Sequence, residues 1–112
     1  MTFKQDTDET IVIFRAERSG QFKGDVTAVF PCEPATDEYD MTCYAHVGQH
    51  SGCSRRWYNT TRAATPDEYA ALKRELESAP YGYRLRIFKR LQPWFRDARR
   101  AAMRSMTQAV TR

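Results

Sequence analysis

The sequence predicts an α+β fold, a mainly antiparallel sheet in the order β-β-β-(β)-α-β-α with a basic helix at the C-terminus. Three observations carry this. Short segments rich in β-branched and aromatic residues precede any helical pattern, with turn residues between them. Residues 65–79 then carry a capped apolar stripe of helical period. From Pro93 a second helical pattern runs toward the end of the chain. With 112 residues and a 41% hydrophobic fraction, the chain suits a single domain over 1–112 with one modest core.

Residues 1–9 are polar and acidic and read as a loose lead-in. Residues 10–16, with Ile11, Val12, Ile13 and Phe14, read as the first strand, and 25–30 as the second, stopped by Pro31. Gly20 and Gly24 lie in the turn between them, so the two strands form a hairpin. Residues 31–40 hold two prolines and four acids and read as a loop. Residues 41–47 form the third strand, with Met41, Cys43, Ala45 and Val47 on one face and Thr42, Tyr44 and His46 on the other. Residues 48–54 contain Gly48 and Gly52 and read as a turn, and 55–62 as a fourth strand.

The helix over 66–79 has the clearest start. Thr65 caps it, Pro66 takes the first position and Glu68 completes a capping box. Tyr69, Leu72, Leu76 and Ala79 then recur on one side, facing the sheet in a two-layer sandwich. Residues 83–89 form the last strand, in the middle or at the edge of the sheet, with Leu85 and Ile87 on one side and Arg84 and Arg86 on the other. In the C-terminal helix, 93–110, Phe95, Ala98, Ala102, Met106 and Ala109 make an apolar stripe, and Arg96, Arg100 and Arg104 a basic line with Arg99 beside it.

Charge divides the chain. Residues 1–54 hold four basic and nine acidic side chains, whereas residues 81–112 hold nine basic and one acidic, within an overall charge of +4. Such polarity either attracts a polyanion to the C-terminal part or lets the two ends neutralise each other. No segment reaches the roughly 18 consecutive apolar residues of a membrane span. The N-terminus lacks a secretory layout, and three cysteines make a poor disulfide framework, so a cytoplasmic setting without membrane contact is expected.

Four kinds of site are open. Cys43, His46, His50 and Cys53 are zinc-type ligands in the spacing C-x2-H-x3-H-x2-C, but strand alternation sends Cys43 and His46 to opposite faces. His50 and Cys53 share a turn where a thiolate–imidazole pair could form, with no recognisable nucleophile motif around them. Neither reading assigns a catalytic residue, metal ligand or cofactor, and no small-molecule substrate is indicated. Arg84 and Arg86 on the sheet, or Arg96, Arg99, Arg100 and Arg104 on the helix, suit nucleic-acid contact. Trp94, with the same arginines, suits a protein partner or a homodimer.

The segments Cys43-Tyr-Ala-His-Val-Gly-Gln-His-Ser51 and Ala64-Thr-Pro-Asp-Glu-Tyr-Ala-Ala-Leu-Lys-Arg-Glu-Leu-Glu77, followed by Tyr81-Gly-Tyr83, resemble a family of short uncharacterised proteins of bacteria, phages and other mobile elements. The resemblance spans residues 10–90. It implies no activity, but it marks the turn holding His46, Gln49 and His50. By analogy it implies a small non-catalytic binding protein acting on nucleic acid or on a complex that handles it, for example an inhibitor of a bacterial defence system. The alternative is a small enzyme or zinc-dependent domain centred on His46, His50 and Cys53.

Overall fold

The computed structural model describes residues 9–45 and 49–111. Strands β1 (Glu9–Glu17) and β2 (Val26–Pro34) form the expected hairpin, with Ile13 opposite Val29. Its turn places Gly20 and Gly24 at φ of 84° and 88°, where a side chain would be strained. The expected lead-in lies outside the described residues except for Glu9, which already belongs to β1.

Pro31 does not stop β2. The strand continues to Pro34, and its register against β3 (Met41–Ala45) shifts between Phe30 and Pro34. A proline cannot donate to the ladder, and the irregularity accommodates the missing donor.

Two expectations between residues 48 and 62 are corrected. The supposed turn is mostly strand: β4 (Gln49–Cys53) pairs antiparallel with β3, Cys43 opposite Ser51. Gly52 is there for close approach, since a Cβ on it would stand 2.9 Å from Ala35 Cβ. The supposed fourth strand is a single helical turn, α1 (Arg55–Asn59), followed by the short strand β5 (Thr61–Ala63). The Ser54 hydroxyl accepts the Trp57 amide at 3.1 Å, and the Thr60 and Thr61 hydroxyls donate to the Trp57 and Tyr58 carbonyls at 2.6 Å. This local capping outweighs the strand preference of Trp57, Tyr58 and Thr60. His46 lies outside the described residues.

Helix α2 (Pro66–Glu77) carries the predicted capping box between Thr65 and Glu68. Leu72 and Leu76 are buried, and Tyr69 stacks on Phe14 at 4.3 Å. Ala79 falls beyond the helix end. Strand β6 (Arg84–Ile87) lies at the sheet edge, parallel to the first half of β1, while β5 pairs antiparallel with its last residues. The sheet order is β4-β3-β2-β1-β5, with β6 also on β1.

Helix α3 (Pro93–Thr111) covers the second face. Val12, Phe14, Ala28 and Phe30 pack with Leu72 and Leu76 on one side; Ile13, Val29 and Met41 pack with Tyr58 and Phe95 on the other. The antiparallel α+β architecture stands, and the expected two layers become three, helix–sheet–helix. Met106 is exposed, so the apolar stripe of α3 runs past the core it helps to form. No helix among the described residues is long and apolar enough to cross a membrane.

Candidate nucleic-acid interface

The first turns of α3 meet the connection between β2 and β3. That connection is held by Asp37, whose Oδ1 accepts the Tyr39 amide at 2.8 Å and the Asp40 amide at 3.3 Å. The turn projects Glu38 toward the helix. Glu38 Oε2 accepts from Arg100 Nε and Nη2 at 3.2 and 3.0 Å and from Arg96 Nη2 at 3.4 Å. The Arg100 hydrogen bond, with Arg96 behind it, holds the Glu38 carboxyl below the ordinary carboxylate range. The Arg96 guanidinium also lies 4.7 Å from the centre of the Tyr39 ring.

Arg99 has a different task. It is 9% exposed and donates from Nε to the Glu38 carbonyl and from Nη1 to the Pro31 carbonyl, each at 2.7 Å. Burial, followed by repulsion from Arg96 and Arg55, pulls its pKa down. Its charge-assisted bonds thus fasten α3 to the sheet, at the carbonyl of the proline that disturbs β2.

Between these parts lies a pocket of about 240 Å³. Tyr39, Arg55, Gln92, Arg96 and Arg99 line it above an apolar floor of Met41 and Phe95, and no described lining residue is acidic. Arg55 comes from α1 and is steadied by its Nε donating to Asn59 Oδ1 at 3.1 Å. The first turn of α3, which also has no acidic side chain, opens at the same place. Tyr39 in that lining is 60% exposed, and Trp94, in the first turn of α3, is 48% exposed. Trp94 packs edge-on against Phe95 and Phe88, and the Arg86 guanidinium lies 5.3 Å from the centre of the Phe88 ring.

The structure therefore groups Arg86, Trp94, Arg96, Arg99 and Arg100 around one end of α3. Arg84, at the start of β6 opposite Glu9, and Arg104, farther along α3, stand apart from it. Tyr39, Glu38 and Arg55 were missed by sequence reasoning. The acids at 37–40 read only as loop, and Arg55 as part of a strand.

His50, of the motif segment, lies on the opposite face. His50 Nε2 is 3.0 Å from the Tyr83 hydroxyl, and its ring packs against Phe30, Tyr44 and Tyr81. Tyr44 also bonds Glu75 of α2 through its hydroxyl, and that bond, with burial and Tyr81, raises the phenol pKa. The two segments singled out in the sequence thus meet as one aromatic cluster. Cys53, by contrast, packs on the α3 side. The His50–Cys53 pair and the four-ligand zinc set are accordingly split by the sheet. Gln49 opens β4.

Comparison with protein-family models, curated proteins and solved structures gives no match for this chain.

Proposed function

We propose that this chain is a small non-catalytic binding protein of the phage or mobile-element type, and that the start of α3 is its surface for nucleic acid, free or within a protein complex that handles it. The observation that carries this reading is the pocket lined by Arg55, Arg96 and the exposed Tyr39 ring, with the buried Arg99 at its wall, at the turn of α3 that also exposes the Trp94 ring. Planar guanidinium groups pair with phosphate oxygens, and exposed rings offer a stacking platform for unpaired bases. A merely solvated helix face needs neither a pocket nor an exposed tryptophan in its first turn.

The test uses a labelled single-stranded oligonucleotide and, separately, heparin, a polyanion without bases. Trp94→Ala weakens oligonucleotide binding by the roughly 1–3 kcal/mol of one stacked base while leaving heparin binding unchanged. Arg96→Gln weakens both. Equal loss toward both ligands in Trp94→Ala removes the stacking role. No binding of either ligand at low salt removes the nucleic-acid reading and leaves a protein partner.

A further inference from the structure

The pocket at the start of α3 offers more than a phosphate uses. A phosphate contact needs charged walls, yet the floor here is Met41 and Phe95, and one wall is the Tyr39 ring with the Arg96 guanidinium 4.7 Å from its centre. An apolar floor with a ring beside it suits the flat face of an unstacked base. The volume, about 240 Å³, falls below the roughly 300–1,000 Å³ of pockets that enclose a drug-sized ligand. It therefore admits one base and not a run of them.

Arg55 and Arg96 reach this pocket from different elements, α1 and α3. As phosphate contacts they straddle it, so the nucleotide between the phosphates they hold presents its base to the floor. The base is neutral. Glu38, which bonds Arg96 and Arg100 and does not line the pocket, therefore does not oppose its entry.

Gln92 supplies the edge contact. Its carbonyl accepts the Phe95 amide at 3.1 Å, which fixes the residue at the helix start, and its side-chain Nε2 donates to the Arg90 carbonyl at 3.3 Å. That bond uses one of two amide protons, leaving a second N–H and Oε1, a donor and an acceptor side by side. Adenine offers the matching pair, N7 and N6–H. Arg99, also in the lining, already donates to the Pro31 and Glu38 carbonyls.

We infer that this pocket is a subsite for one unstacked base of a single strand, that it takes adenine in preference to the other bases, and that Gln92 reads it. The inference rests on the nucleic-acid reading of the same surface.

The test is an anisotropy titration of the full chain at low salt with labelled thymidine heptamers whose central base is adenine, guanine, cytosine or thymine. The adenine strand is expected to bind at least about fivefold tighter than the all-thymidine strand, the lower bound for a bidentate amide–adenine pair. Gln92→Ala loses this preference and keeps the all-thymidine affinity, with its urea midpoint unchanged because Gln92 is not part of the core. A 7-deazaadenine strand, which keeps the ring but lacks N7, loses the preference with wild type, a check independent of any variant. Equal binding of all four strands overturns the inference and leaves the nucleic-acid reading standing. A preference for guanine, which an arginine fork would read, also overturns it, as does an adenine preference that survives Gln92→Ala or the 7-deaza substitution. No binding of any strand removes the reading and the inference together.

Discussion

Arginine does two kinds of work on α3, and the difference decides what each substitution does. Arg99 is buried and gives two hydrogen bonds to carbonyls that have left water. Arg99→Gln strands both and destabilises the fold by about 3 kcal/mol, read as a lowered urea midpoint. Arg96 and Arg100 lie at the surface and share Glu38, so their removal is expected to leave the midpoint nearly unchanged and to act on binding. Glu38→Gln removes the acid that occupies them, and a few-fold gain in oligonucleotide affinity is the expected outcome in an anisotropy titration. Glu68 contributes to the acid side of stability. The Arg62 hydrogen bond, with the Thr65 amide, lowers its pKa from 4.5 to about 2. A carboxylate held down in the folded state contributes stability above its unfolded value and loses it as pH falls. Thermal stability therefore drops between pH 4.5 and about 2, and the drop is smaller in Arg62→Gln.

At the scale of elements, the hairpin, the third strand, the capped helix and the basic helix were legible because each carries its own local signal. Thr65, Pro66 and Glu68 fix the start of α2 whatever surrounds it. The stretch 48–62 was not legible, because its glycine and aromatic residues answer to tertiary contacts. Gly52 reads as a turn residue until Ala35 is placed against it, and Trp57 and Tyr58 read as strand until Ser54 caps them. Gly52→Ala is accordingly expected to cost roughly 1–3 kcal/mol by denaturant unfolding, because the Ala35 methyl belongs to the chain's own framework and cannot swing aside. The third layer rests on Phe95, only 1% exposed, and Phe95→Ala is expected to cost about 3–5 kcal/mol in the same measurement.

At the scale of the whole molecule, the sheet keeps two chemistries apart. His50, Tyr83, Tyr44 and Glu75 meet on the α2 side, whereas the arginines, Trp94 and Cys53 face the α3 side. The polarity of charge along the chain was visible in the sequence; its partial cancellation by Glu38 was not, because those partners are about sixty residues apart. The arginine line was legible from its helical spacing, but the pocket needed Arg55 and Tyr39 brought in from other elements. The most direct test of the nucleic-acid reading is the salt dependence of single-stranded oligonucleotide binding by wild type and by Arg55→Gln/Arg96→Gln. Removing one arginine–phosphate pairing lowers the slope of log affinity against log salt by about 0.7, so the double variant is expected to be shallower by about 1.4. An unchanged slope, or no binding at low salt, would contradict the account.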